Sequence, residues 1–194
     1  MTPAEISRKQ ALREQCRARR DALTAEEQKA HAAAFARHFM KSVEAGNKTV
    51  AGYSAFRHEL DILPLLTLLA NGDRICCLPV TSPPSKQLFF RRWHAKSKMA
   101  PGDFGISVPS SEAETVTPDI LIVPLLGFDT AHHRIGYGAG YYDRTLRELR
   151  KSGYKPFVIG AGYSVQQVES IPAEDHDEVM DMVITEKGVL GKDF

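Results

Sequence analysis

Cysteine is scarce: Cys16, Cys76 and Cys77 are the only three in 194 residues. An odd count with an adjacent pair builds neither a disulfide framework nor a Cys-x-x-Cys metal knuckle. A reducing, cytoplasmic setting is therefore expected. Charge of one sign is also scarce. With 25 Lys and Arg against 24 Asp and Glu, the net charge is +1, so no global field draws the chain to nucleic acid or a membrane. No apolar run approaches the roughly 20 residues that span a bilayer. Met1 to Glu5 lacks the apolar core of a signal peptide. His58-Glu59-Leu60-Asp61-Ile62 lacks the second His of an H-E-x-x-H site. His132 and His133 are adjacent in a turn, where solvent exposure is expected, and no zinc is assigned. Cys76 and Cys77 fall in a strand, point to opposite faces and read as packed.

What is present is ordinary globular material, 43% hydrophobic and 25% charged. It suffices for one core without staples, and residues 1–194 read as a single domain. Thr2-Pro3-Ala4-Glu5 opens a helix reaching about Leu23, and Thr24-Ala25-Glu26-Glu27 opens a second toward Val43. Thr49 to Tyr53 reads as a strand. Asp61 can cap a helix over 62–70 that Asn71-Gly72 ends. Strands follow at Arg74 to Val80 and Gln87 to Trp93, with a turn at Thr81-Ser82-Pro83-Pro84 between them. Ala95 to Thr117 reads as a long, mostly irregular excursion. Ile120 to Pro124, Pro156 to Gly160 and Met182 to Thr185 are further strands, and Tyr141 to Lys151 is a helix. This alternation predicts an α/β fold, a three-layer α/β/α sandwich around a largely parallel sheet.

The most informative segment is Arg134-Ile135-Gly136-Tyr137-Gly138-Ala139-Gly140-Tyr141-Tyr142-Asp143, between a buried strand and a helix. Its glycines permit positive φ and close backbone approach to a ligand. Successive N–H groups and the following helix N-terminus can cradle phosphate, and Arg134 can add a bidentate contact. The G-x-G-x-G spacing is neither a Walker A loop nor a dinucleotide fingerprint. The plainer alternative is a tight strand-to-helix turn. Asp143 has two readings as well, a helix-dipole charge or a carboxylate that holds Mg²⁺ against phosphates.

That string, with Gly127-Phe128-Asp129 before it, resembles the signature of the 5-formyltetrahydrofolate cyclo-ligase family. Other matches keep the family's order: Lys9-x-x-Leu12-Arg13, then Ser54 with Glu59-Leu60-Asp61, then Phe104-Gly105-Ile106 with Pro109. His176-Asp177, Met180-Asp181 and Val183-Ile184-Thr185 complete the resemblance, which covers nearly the whole chain. Ala139, His132 and Ser107-Val108 depart from the usual pattern.

The resemblance implies ATP- and Mg²⁺-dependent cyclisation of 5-formyltetrahydrofolate to 5,10-methenyltetrahydrofolate, with release of ADP and phosphate. The formyl oxygen leaves poorly as hydroxide. Its attack on the γ-phosphorus makes it a phosphate leaving group, which N10 displaces in closing the ring. Such chemistry rests on positioning and charge neutralisation rather than on a protein nucleophile. The resemblance implies ATP contacts from Lys9, Arg13, Arg134, Gly136, Tyr137, Gly138, Ala139, Gly140, Tyr141 and Tyr142. Arg134 and Tyr142 are the catalytic candidates. Asp143 and Asp177 would hold Mg²⁺. Ser54, Glu59, Phe104 and Tyr141 would bind the folate, with Glu59 accepting pterin N–H groups and Phe104 stacking on the ring. The partners are then small molecules, reduced folate and ATP, with neither nucleic acid nor membrane, and the chain a monomer or weak homo-oligomer. On residues alone, Lys9 and Arg13 also read as a solvated basic face. With Arg8, Arg17, Arg19 and Arg20 that face suggests an alternative, a nucleotide- or RNA-binding protein on a related scaffold. No RRM, KH or zinc-knuckle signature supports it. An isomerase or acyl-CoA transferase on a related scaffold is a third reading.

Overall fold

The computed structural model describes residues 3–82, 85–174 and 177–191. The Thr2 cap, the Pro83-Pro84 part of the predicted turn and the His176 match lie outside the described residues. Two helices open the chain, α1 (Pro3–Asp21) and α2 (Ala25–Ser42). The capping box predicted at Thr24 is formed: its Oγ1 accepts from the Glu27 N–H at 3.2 Å, and its own N–H donates to the Glu27 carboxylate at 2.8 Å. There follow β1 (Val50–Ala51), α3 (Leu63–Asn71), β2 (Cys76–Ser82) and β3 (Gln87–Trp93). Asp61 accepts the first helical N–H of α3, from Leu63, at 3.0 Å, and Gly72 ends that helix. Next come β4 (Met99–Pro101), β5 (Ser107–Pro109), β6 (Thr115–Val116), β7 (Ile120–Pro124), β8 (Gly127–Phe128) and β9 (Arg134–Ile135). The chain closes with α4 (Tyr141–Lys151), β10 (Phe157–Ala161), β11 (Met182–Thr185) and β12 (Gly188–Gly191).

The main sheet runs β12-β11-β10-β7-β1-β2-β3-β6. Its centre, β11 to β2, is parallel, while β12, β3 and β6 pair antiparallel at the two sides. The strands are nearly continuous apolar runs because both faces are covered. Val50, Cys76, Ile120, Ile122, Ile159 and Ile184 face Phe35 and Phe39 of α2 and Leu65, Leu66 and Leu69 of α3. Their alternates Ala51, Cys77, Leu121, Val123, Val158 and Val183 face Leu146 of α4. Three layers result. Cys76 and Cys77 do point to opposite faces, and burial pushes the Cys76 thiol up to about 11.

The expectations need refinement. The stretch from Ala95 to Thr117 is irregular over most of its length, as expected, but it also holds the β4–β5 hairpin and β6. Its Pro, Gly and Ser content hid strands only two or three residues long. His132 and His133 are half-buried rather than exposed, and the His133 Nδ1 lies 3.3 Å from the buried Asp129 carboxylate. That carboxylate also accepts backbone N–H groups from Ala131, His133 and Ile171, so it ties the turn together.

From β1 the chain steps to β2 on one side, then returns to β7 on the other. β1 and β7 thus flank a topological switch point, where open α/β sheets bind ligands beyond the strand carboxyl ends. α1 lies outside the main layers. Its Leu12 and Cys16 pack against Leu126, Ile135, Val168 and Ile171. Gly127 permits that approach, since a Cβ there would sit 2.8 Å from the Cys16 Sγ. The basic face of α1 is thereby set beside β9 and the glycine string.

Candidate active site

A cleft of about 580 Å³ opens at the switch point. Tyr53 and Ser54 enter it from the end of β1, Pro79 and Thr81 from β2, and Pro124 from β7. Every residue singled out from sequence lines it: Lys9, Arg13, Ser54, Glu59, Phe104, Arg134, Gly136 through Asp143, and Asp177. These positions come from five separate chain segments, brought together by the sheet crossover and the docking of α1.

One end is densely charged. Arg134 Nη2 donates to the Asp143 Oδ1 at 2.6 Å, and its side chain is 6% exposed. Its Nε is buried and has no hydrogen-bond partner. Lys9 Nζ lies 2.8 Å from both Glu174 and Asp177 carboxylates. Burial works to lower the Lys9 pKa, but these two partners outweigh it and the net shift is upward. Arg13 Nε donates to the Gly136 carbonyl at 3.0 Å, fastening α1 to the loop. Gly138 at φ +96° and Gly140 at φ +69° occupy left-handed backbone that favours glycine. Gly140 caps α4 without a side-chain bond, leaving its first-turn N–H groups to a ligand. An unsatisfied buried guanidinium nitrogen beside an uncapped helix start is an arrangement that takes an anion. The two carboxylates offer hard oxygen donors. Among the described residues no cluster of three or more His, Cys, Asp or Glu could hold a metal alone. That set fits Mg²⁺, which commonly takes one or two carboxylates and completes its shell with phosphate and water.

The other end is more enclosed. Glu59 is 8% exposed and accepts the Phe56 N–H at 2.8 Å. Burial raises its pKa, opposed by the Phe56 N–H, the charge of Arg20 and the Tyr137 hydroxyl. Tyr142 lies between the ends. The Arg134 guanidinium sits 5.8 Å from its ring centroid, and its phenol pKa is raised by burial and by Glu59. Phe104 stands exposed at the rim with a positive φ of 59°, its ring edge-on to Tyr141 at 6.4 Å. The Thr81 hydroxyl donates to Asp103 at 2.6 Å and pins that turn to β2.

Sequence reasoning missed Thr81, Asp103, Glu174, Arg144 and Arg147 as lining residues. A Glu three residues before Asp177 was the one local signal for Glu174. The others come into the cleft through tertiary placement alone.

A doubly wound sheet with a phosphate-type loop at its switch point defines an α/β enzyme scaffold. The comparisons narrow it. The sequence profile of the 5-formyltetrahydrofolate cyclo-ligase family matches residues 5–186. The 5-formyltetrahydrofolate cyclo-ligase of Haemophilus influenzae is 33% identical over 176 residues, covering 88% of this chain and 93% of that protein. Its Escherichia coli K12 counterpart is 35% identical over 142 residues, covering 71% and 77%. The NMR structure of Aquifex aeolicus 5,10-methenyltetrahydrofolate synthetase superposes with a TM-score of 0.78 at 30% identity, covering 93% of this chain and 91% of that one. The chain belongs to the 5-formyltetrahydrofolate cyclo-ligase family. It is therefore an enzyme, a ligase of one-carbon folate metabolism.

Proposed function

We propose that the protein, as one cyclo-ligase domain spanning residues 1–194, closes 5-formyltetrahydrofolate to 5,10-methenyltetrahydrofolate at the expense of ATP, releasing ADP and phosphate. One observation carries the reading. The phosphate-type loop and the enclosed Glu59 share a single cleft, with Tyr142 between them and the Arg134 guanidinium 5.8 Å from its ring centroid. Arg134, Lys9 and Arg13 would bind the phosphates together with the loop from Gly136 to Tyr142. The unpartnered Arg134 Nε supports that role. Glu59 would accept pterin N–H groups, with Ser54, Phe104 and Tyr141 along the same wall. Asp143 and Asp177 would hold Mg²⁺, which when bound neutralises negative charge on the phosphates.

The formyl oxygen attacks the γ-phosphorus and ADP departs. N10 then attacks the activated formyl carbon and gives up its proton to phosphate or water, and the C–O bond breaks with phosphate as the leaving group. The residues contribute orientation and charge; Arg134 meets the charge developing on the transferred group. The site would work in the cytoplasm on small molecules, without nucleic acid or membrane, in a monomer or weak homo-oligomer. Purified protein given 5-formyltetrahydrofolate, ATP and Mg²⁺ should form the methenyl product, read by its near-ultraviolet absorbance, with one ADP per turnover. Product without ADP, or ADP without product, contradicts the reading.

A further inference from the structure

Arg20 sits in the last turn of α1, outside the cleft lining, and is fully buried. A buried guanidinium is costly unless its donors are matched, and an apolar side chain of similar volume commonly serves a fold as well or better. Matching here is partial. Nε donates to the Asp21 Oδ1 at 3.1 Å. Nη2 lies 3.1 Å from the same carboxylate yet makes no proper hydrogen bond. Nη1 donates to the Tyr137 hydroxyl oxygen at 2.8 Å. Packing alone does not account for a charge in this place.

Tyr137 belongs to the glycine loop, but its side chain turns to the far end of the cleft. Its ring meets Phe56 edge-on at 6.2 Å, and the Phe56 N–H is the one bonded to Glu59. An Arg has donors only. The Tyr137 oxygen must therefore accept from Arg20, which leaves the phenol hydrogen to point elsewhere. Glu59 is the neighbouring acceptor. Tyr137 and Glu59 line the same cleft, and each side chain shifts the other's ionisation.

We propose that Arg20 is a positioning residue for the pterin end of the cleft, acting on Glu59 through the Tyr137 hydroxyl without touching substrate. The proposal rests on the reading of Glu59 as the pterin acceptor. It gives Tyr137 a second task, since its backbone lies in the phosphate loop while its hydroxyl serves the folate.

The test compares Arg20→Met, Arg20→Lys, Tyr137→Phe and Glu59→Gln. KM and kcat for 5-formyltetrahydrofolate, ATP affinity by calorimetry and melting temperature are measured for each. Arg20→Met and Tyr137→Phe should each raise the folate KM about tenfold, the scale of one hydrogen bond to a charged group. Arg20→Met should leave kcat and ATP affinity near wild type, because uniform binding is what is lost. The double variant should be no worse than either single one, as for members of one chain of contacts. Arg20→Lys should recover part of the loss. Equal weakening of both substrates, additive losses or an unchanged folate KM overturns the proposal. If Arg20→Met does not fold, Tyr137→Phe decides alone, since it removes one oxygen and keeps the ring packing. A silent Glu59→Gln overturns the proposal and traces the failure to the reading of Glu59. A strong Glu59→Gln beside silent Arg20 and Tyr137 variants traces it to the relay.

Discussion

The two ends of the cleft manage charge in opposite ways. At the phosphate end, cations and carboxylates are already matched, Arg134 with Asp143 and Lys9 with Glu174 and Asp177. A nucleotide with its metal can exchange these partners: phosphates take the cations and the metal takes the carboxylates. At the folate end, Glu59 is held in place by its own turn and surrounded by neutral hydroxyls. Among the described residues no cation donates to it directly, so the ligand must bring the donors. The first arrangement suits a ligand of high charge that arrives and leaves. The second suits recognition of one donor pattern.

The largest effect should come from removing the preset acceptor. Glu59→Gln keeps one acceptor oxygen and replaces the other with a donor. Loss of a charge-assisted bond costs about 1.5–3 kcal/mol, so kcat/KM for 5-formyltetrahydrofolate should fall about ten- to a hundredfold while calorimetric ATP affinity holds. Acid sharpens the same contrast. Burial raises the Glu59 pKa above 4.5, with Arg20, Tyr53, Tyr137, Tyr142 and Tyr163 as its charged or titratable neighbours. Folate binding should therefore be full above the raised value and fade as pH falls through it, earlier than an ordinary Glu would allow. The sign for stability is the reverse of the usual carboxylate case. Ionising Glu59 costs the folded state more than the unfolded one, so that cost is present at neutral pH and disappears in acid. Glu59→Gln should accordingly melt no lower than wild type at pH 7. A lower melting point there makes Glu59 a structural residue.

The exchange of partners predicts the next effect. ATP with Mg²⁺ should raise the melting temperature, by about 2.7 kcal/mol of stability at a hundredfold excess over Kd. Mg²⁺ alone should shift it far less, because Asp143 and Asp177 are engaged by Arg134 and Lys9. Equal shifts with metal alone and with both ligands break the comparison. Asp143→Asn should lower turnover about tenfold or more by weakening charge neutralisation. Stability should change little, since the amide oxygen still accepts from Arg134. Full activity at limiting Mg²⁺ removes the metal role.

The contrast between the ends also governs what the sequence could reveal. The phosphate end was legible because its chemistry lies in one continuous string, Arg134 to Asp143, with glycines that have a local backbone reason to be there. The parallel sheet was legible from long buried runs such as Ile120 to Pro124. Strands of two or three residues, including β4, β5 and β8, carry no periodicity over so short a length. Thr49 to Tyr53 reads as a strand, yet only Val50 and Ala51 pair, because the chain leaves the sheet at Gly52 to form the cleft wall. Arg20 read as one more cation on a basic helix. Its burial depends on where α1 docks, which no local pattern encodes. Glu174 likewise becomes visible only when Lys9 arrives from the other end of the chain.

The smallest effect concerns the rim. Phe104 holds a positive φ of 59°, a conformation that costs a side chain with a Cβ roughly 1–2 kcal/mol. Nothing in the core repays this, since the residue is 67% exposed. What the conformation achieves is the presentation of a ring at the cleft mouth, edge-on to Tyr141. Local strain of this kind commonly marks a site rather than a packing need. Phe104→Gly relieves the strain but adds freedom to the unfolded chain, worth about 0.4–1 kcal/mol in the opposite sense. The net gain in stability should be under about 1 kcal/mol, a rise of a few degrees at most for a chain of this size. Phe104→Ala keeps the strain and should not show that gain. Both variants remove the ring, so both should raise the folate KM several-fold, by about 1 kcal/mol for one aromatic contact, with ATP affinity unchanged. Thermal melts and steady-state kinetics on the pair separate the two roles. If glycine stabilises no more than alanine, the left-handed turn carries no strain. If neither variant alters the folate KM, the ring stands outside the folate path and the enclosed end of the cleft stops short of Phe104.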